Sequence, residues 1–291
     1  MQTLKVKTPG KIDLMYEITG IDYDGFHTIE SVMQEVDLYD TLTITVEDYQ
    51  GQGDYVVVTG NNPNIPYNDN NYAKIAAKAY LRKANINGKK VTIDIDKHLP
   101  AGLGGASSNA AGVLKGLNHI FGNRMDDGAL EHLASEIKSN VHFFLKGGTQ
   151  YARGKGDELQ KLPTPCLKLV VARPIAEGVS KKEAYDRYDK LDGRKPENHD
   201  THEMINAVKE NNIEKIASEM HNVLEEAVFP VHPQIAELKQ KLIQKGCLNA
   251  EMSETGPSVV GIYTDSADFS DLQGKNQVYQ VFASEKGILI E

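Results

Sequence analysis

The stretch "LPAGLGGASSNAAGVLKGLN", residues 99–118, sets a proline and a cluster of glycines and serines directly ahead of an apolar run at helical spacing. Glycine reaches backbone angles closed to other residues and carries no side chain, so several glycines before a helix let successive N–H groups converge on one anion. The partial positive charge at a helix N-terminus adds to that attraction. The candidate loop comprises Pro100, Ala101, Gly102, Leu103, Gly104, Gly105, Ala106, Ser107 and Ser108, and its two serines can donate to a phosphate or help hold a magnesium ion carried with it. Two readings stand here, a phosphate cradle and a plain structural turn. The loop is not a Walker A motif, which needs a lysine before the hydroxyl residue where this chain has Ala106. Nor does "GLGGAS" complete the G-x-G-x-x-G spacing of a dinucleotide fingerprint.

The neighbouring pattern supplies a strand, a turn and a helix in that order. "KKVTIDIDKHLP" reads as a strand with Val91, Ile93 and Ile95 on one face. After the loop, Ala110, Val113, Leu114, Leu117 and Ile120 share a helical face, with Ser or Asn available as the N-cap. Upstream, "LKVKTPGKIDLMYEI", "DTLTITVED" and "DYVVVTG" alternate as strands, and "NYAKIAAKAYLRKAN" predicts a helix burying Tyr72, Ile75, Ala76, Ala79 and Tyr80. "DDGALEHLASEIK" predicts a second helix after the loop, and "SNVHFFLKGGTQYARGKGDEL" a turn and hairpin. Past residue 160 strands and helices alternate again, from "LKLVVARP" to "GPSVVGIYT" and "QVYQVFASE", with the polar run "DGRKPENHDTHE" expected as a solvated surface loop. The pattern predicts an α+β chain of two domains, 1–160 and 161–291.

Composition narrows the function classes. With 291 residues, 40% hydrophobic and 25% charged, the chain can bury a full core, and it has no apolar run long enough to span a bilayer. The N-terminus lacks the apolar core of a signal peptide, which predicts a cytoplasmic protein. Cys166 and Cys247 lack metal or redox spacing and are both expected in the core. A net charge of −9 argues against a broad nucleic-acid surface, while a small phosphorylated ligand needs only a few local donors. The expected partner is therefore a small-molecule substrate, with no nucleic acid and no membrane, bound by a monomer or homodimer.

The glycine loop resembles the second motif of the GHMP kinases, P-x-x-x-G-L-G-S-S-A. "TPGKIDLMYEITGIDYDGFHTIESVMQEVDLYDTL" is similar to the opening of the 4-diphosphocytidyl-2-C-methyl-D-erythritol kinase family, and "HNVLEEAVFPVHPQIAELKQKLIQKG" and "AEMSETGPSVVGIY" are similar to its later blocks. The resemblance spans nearly the whole chain. It implies an N-terminal domain of the ribosomal protein S5 domain 2 type, a ferredoxin-like C-terminal domain and a site in the cleft between them. It also implies transfer of the γ-phosphate of ATP, with Mg2+, to the 2-hydroxyl of a CDP-linked methylerythritol in non-mevalonate isoprenoid synthesis. By resemblance, Lys11 is the catalytic-site lysine, His27 meets the cytosine edge, Phe26 and Tyr185 offer stacking faces, and Asn71 and Lys97 lie near the adenine.

Several positions depart from that family. Its catalytic aspartate lies in G-A-D-V-P-F-F, and here "KSNVHFF" puts Asn140 at that place and His142 at the proline. A neutral amide cannot take the substrate proton, and general-base help is worth roughly 10²- to 10⁴-fold. Against P-V-G-A-G-L-G-G-G-S-S, the stretch "PAGLGGASS" is shorter between Pro100 and its G-L-G core. Glu254 replaces a glycine of the third motif, and a carboxylate ~7 Å from a phosphate costs on the order of 2 kcal/mol per charge unless it points to solvent. Asp13 stands where the family has Asn and is the candidate replacement for the lost base. Phosphoryl transfer rests mainly on positioning and charge stabilisation, so loss of the base need not end catalysis. The alternatives are a catalytically weak or inactive relative with a binding or regulatory role, and a kinase for another alcohol.

Overall fold

The computed structural model describes residues 1–291 except 52, 54, 176, 177, 192–199, 265 and 266, with only the backbone of Ser139. In chain order the elements are β1 (Gln2–Ile21), β2 (His27–Asp48), β3 (Tyr55–Gly60), α1 (Tyr72–Lys83), β4 (Lys89–Asp96), α2 (Gly105–Ile120), α3 (Asp127–Ile137), α4 (Ser139–Lys146), β5 (Thr149–Arg153) and β6 (Glu158–Leu162). There follow β7 (Lys168–Pro174), α5 (Lys181–Tyr188), α6 (Thr201–Lys209), α7 (Ile213–Glu219), β8 (His221–Asn222), α8 (Glu225–Val228), α9 (Pro233–Gln244), β9 (Cys247–Met252), β10 (Val259–Tyr263), β11 (Asn276–Phe282) and β12 (Leu289–Ile290).

Two sheets organise these elements. The first runs β12-β1-β2-β4-β3, with β5 on β2, β6 on β5 and β8 parallel to β1. The second is antiparallel in the order β11-β7-β10-β9, so its fourth, first, third and second strands lie side by side as in a ferredoxin-like sheet. One core lies between the first sheet and α1 to α4, where Ile44, Ile93, Leu114 and Phe143 are fully buried. Another packs α5, α8 and α9 on the second sheet, around Ile235, Leu242 and Met252. A shared core ties the halves together, and in it Leu99 and Leu103 from the glycine loop meet Leu169, Val171 and Val260 of the second sheet. Each buried leucine contributes roughly 1.5–3 kcal/mol, so the two ends of the loop's apex are pinned by burial.

Local readings hold in part. Val91, Ile93 and Ile95 are buried as alternation requires, and Ala110, Val113, Leu114 and Leu117 are fully buried on α2. The α1 face is rotated: Ala73, Ala77 and Leu81 join Ala76 and Tyr80 inside, while Tyr72 and Ala79 pack partly buried against the same core and Ile75 lies to the side. The sheet and α2 both press on that side, and small alanines let the helices approach. α2 has Gly104 as N-cap, at φ 70 and without a side-chain cap, instead of a Ser or Asn. "SNVHFFLK" forms helix α4, because its apolar Val141, Phe143 and Phe144 are drawn into the first core, and only the residues after it make the hairpin. Cys247 is buried as expected, whereas Cys166 is exposed, since its segment runs over the surface between β6 and β7. Most of the polar run "DGRKPENHDTHE" lies outside the described residues, and its end, from Asp200, caps and begins α6.

Candidate active site

A single buried carboxylate organises the glycine loop. Asp40, on β2, accepts the N–H groups of His98 and Leu99 at 2.8 and 2.7 Å, the Lys97 ammonium at 3.0 Å and the Asn109 amide at 3.2 Å. Thr8 donates to Asn109 at 2.7 Å and Ser108 to the carbonyl of Pro9 at 2.6 Å, which joins α2 to β1. From the other half of the molecule, Ser253 and Ser258 donate to the carbonyls of Gly102 and Ala101. Gly104 must be glycine on two counts, its positive φ and the space: an added Cβ would lie 2.9 Å from the Phe144 ring and 3.2 Å from the Lys11 stem. The N–H groups of Gly104, Gly105 and Ala106 make no hydrogen bond among the described residues. They are the free donors of a helix N-terminus, the arrangement that receives anions.

Lys11 stands between this loop and a cavity. Its backbone N–H donates to Leu103 at 3.0 Å, and breaks in the β1–β2 register at Pro9/Gly10 and Asp13/Met15 flank it, so β1 bends where the loop meets it. The ammonium is almost wholly buried, 2.6 Å from Asp13 and 3.5 Å from Glu254. Glu254 in turn lies 3.1 Å from Lys181 on α5. Asp13, Lys11, Glu254 and Lys181 thus form a chain of alternating charge. Burial pulls the Lys11 ammonium down, and Asp13 and Glu254 outweigh it, leaving the pKa raised and the lysine charged. Burial raises the Glu254 carboxyl, yet Lys11 and Lys181 together hold it at about 2. Glu254 also sits at φ 51, a left-handed conformation costing a non-glycine residue roughly 1–2 kcal/mol.

The cavity has a volume of about 530 Å³, within the range of small-molecule sites. Lys11, Asn140 and Glu254 line it together with Phe26, His27, Tyr185 and Lys155. The His27 ring lies 4.7 Å from that of Tyr185, and its Nε2 is 2.8 Å from Asp189. The Tyr185 and Tyr16 hydroxyls are hydrogen-bonded, and Lys155 lies 4.8 Å above the Phe26 ring. Aromatic rings and lysines on one cavity wall suit a ligand that carries both a flat ring and phosphates.

Comparison with known proteins gives the architecture its family. Residues 71–150 match the GHMP kinases N terminal domain and 204–278 the GHMP kinases C terminal domain. The chain belongs to the GHMP kinase family. Relatives of this GHMP kinase include the 4-diphosphocytidyl-2-C-methyl-D-erythritol kinase of Clostridium tetani, 34% identical over 97% of this chain and 99% of that protein. Its namesake from Alkaliphilus metalliredigens is 38% identical over 90% and 89%. A crystal structure of 4-(cytidine 5'-diphospho)-2C-methyl-D-erythritol kinase superposes with a TM-score of 0.76 at 25% identity, covering 96% of this chain and 99% of that one. Homoserine kinase from Cytophaga hutchinsonii shares the fold, with a TM-score of 0.78 at 18% identity, covering 100% and 98%.

Within this GHMP kinase, the candidate residues divide by place. Lys11, Phe26, His27, Asn140 and Tyr185 come together on the cavity wall. Asp13 does not: it is fully buried behind Lys11, with Lys11 on one oxygen and the Ser31 hydroxyl 2.9 Å from the other. That geometry corrects the expectation of a replacement base, since the carboxylate orients the ammonium and has no face on the cavity. Lys97 holds Asp40 and the carbonyl of Leu99 from behind the loop. Asn71 caps α1, accepting from Ala73 and donating to Pro66. His142 pairs with Glu131 on α3. Glu254, expected to cost binding unless it pointed to solvent, turns into the cavity between two lysines. Sequence reasoning passed over Asp40, Tyr16, Lys155 and Lys181. Asp40 lies in the opening stretch that resembles the family; the others are ordinary polar residues until the fold gathers them.

Proposed function

We propose that this GHMP kinase transfers the γ-phosphoryl of ATP to the 2-hydroxyl of 4-diphosphocytidyl-2-C-methyl-D-erythritol, a step toward isoprenoid precursors by the non-mevalonate route. The supporting observation is that Lys11 bridges a glycine loop with free N–H donors and a cavity lined in part by aromatic rings, in a chain 34–38% identical to kinases of that name. The loop suits a triphosphate: the free donors of Gly104, Gly105 and Ala106 lie at the start of α2, and a Cβ at Gly104 would push on Phe144 and Lys11 beside them. ATP supplies the phosphoryl group, and Mg2+ carried with it neutralises charge on the phosphates. Loop residues 100–108 hold the phosphates, with Ser107 at the first turn of α2, while Ser108 is tied to β1. Lys11, kept charged by Asp13, sits where charge accumulates on the transferring group. His27, Phe26 and Tyr185 hold the cytidine, and Lys155 and Lys182 meet its diphosphate. Asn71 and Lys97 serve the adenine side by shaping the loop and the start of α1.

We place the domain division after β6, which spans Glu158–Leu162, with β8 and β12 returning to the N-terminal sheet. The test of function is ATP consumption by the purified protein with the CDP-linked substrate, beside a panel of sugar alcohols and homoserine. Turnover preferring the CDP-linked alcohol supports the reading. Turnover with another alcohol only, or none with any, overturns it. Asn140 on the cavity wall favours one alternative, a relative that binds without turning over, and ligand binding by calorimetry without ATP consumption would identify it.

A further inference from the structure

The family's proton acceptor has become an amide in this chain, and the cavity shows what stands in its place. Of the carboxylates on or behind the cavity wall, Asp13 is sealed behind Lys11, while Asp186 and Asp189 belong to α5 and its C-terminal end. Among the described residues, Glu254 alone lines the cavity and also approaches the Lys11 ammonium, at 3.5 Å. Its two oxygens face different lysines, Oε2 toward Lys11 and Oε1 toward Lys181, so each keeps a lone pair for another donor. Ser253 and Ser258, on either side of it, bind the carbonyls of Gly102 and Ala101, which fixes the Glu254 turn against the phosphate loop.

Resting on the kinase reading above, we propose that Glu254 is the catalytic carboxylate of this enzyme, receiving the acceptor's proton in place of the acid lost at Asn140. The acceptor oxygen forms its bond to the γ-phosphorus as the bond from that phosphorus to the β,γ-bridging oxygen breaks. ADP leaves with the electron pair, and the hydroxyl proton passes to Glu254 and then to water. In a loose transition state the proton leaves late, when the new P–O bond has made it strongly acidic, so a weak base suffices. Lys11 and Lys181 keep Glu254 ionised throughout the neutral range. The left-handed backbone at Glu254, which glycine would adopt without strain, is the kind of outlier that gathers at working sites.

The test uses E254Q, E254D, E254G and the double variant E254G/N140D, each checked by thermal melting. E254G relieves the backbone and so keeps a folded comparison should E254Q melt early. The expected result is a kcat lowered about 10²-fold or more in E254Q and E254G, with KM for ATP and the CDP-linked alcohol little changed. E254D should restore part of it, and N140D should restore turnover when added to E254G. If E254Q or E254G keeps or raises kcat, the inference is overturned, and a rise would show that the carboxylate obstructs the phosphates. Failure of E254D and of N140D to restore turnover would equally overturn it. Absence of turnover in the unsubstituted protein would instead overturn the kinase reading itself, and the inference with it.

Discussion

The two turns that meet at Lys11 are built on opposite principles. The glycine loop is held by hydrogen bonds to a single carboxylate, Asp40, whose oxygens receive two backbone N–H groups, a lysine and an amide. The facing turn, 253–258, carries a strained glutamate balanced between two lysines. In the first turn charge is used to fix backbone, and the donors left over are free for an anion. In the second, charge is directed into the cavity. The proposed grip on phosphate and handling of a proton would benefit from that division, since a rigid cradle and an adjustable charge are hard to build from the same residues.

Substitutions at each turn sharpen the contrast. The largest effect is expected for K11A, which removes the ammonium between the two turns: kcat should fall about 10³-fold, and the loss of the ion pair to buried Asp13 should lower the melting temperature. A K11A enzyme retaining a tenth of its activity would break the idea that the two halves meet there. D40N comes next. It removes the charge that Lys97 faces and should cost ~3 kcal/mol in denaturant unfolding, with kcat/KM for ATP about 10²-fold lower as the loop shifts. Unchanged ATP kinetics would show that the loop is held by Leu99 and Leu103 alone.

Glu251 offers a smaller effect of opposite sign. It is 1% exposed on β9, and neither oxygen has a hydrogen-bond partner among the described residues. Burial, with Glu225 adding to it, pushes its carboxyl well above the ordinary range. A folded pKa above the unfolded one means that stability is highest at low pH and is lost as pH rises past 4.5, where the unfolded chain releases the proton first. E251M should therefore be more stable than the parent by about 2 kcal/mol at pH 8, with the difference shrinking toward pH 4. A difference that does not change with pH would refute the titration of Glu251. The smallest effect is expected for N71A, about 1 kcal/mol from loss of the α1 cap. A tenfold rise in KM for ATP in N71A would show in addition that this residue faces the nucleotide.

How far these features were legible follows from the kind of interaction involved. The strand, loop and helix at residues 89–120 were readable because alternation, glycine content and helical spacing are local. The inward face of α1 was misjudged by one position, because the sheet and α2 decide which side of a helix closes, and many of its residues are small enough to serve. α4 was hidden in a stretch whose glycines suggested only a turn, although Phe143 and Phe144 had a core to enter.

By itself the sequence determined the α+β class, the kinase family and the glycine loop ahead of a helix, since each depends on residue types at fixed spacing along the chain. Tertiary structure alone decided where Asp13 and Glu254 lie. Both are acids near Lys11 by motif, but only the fold places one behind the ammonium, sealed with Ser31, and the other in the cavity with two lysines. A carboxylate's role depends on which charges surround it and whether a ligand can reach it. In this chain those surroundings come from strands and turns more than 200 residues apart, as the distance in sequence between Lys11 and Glu254 shows.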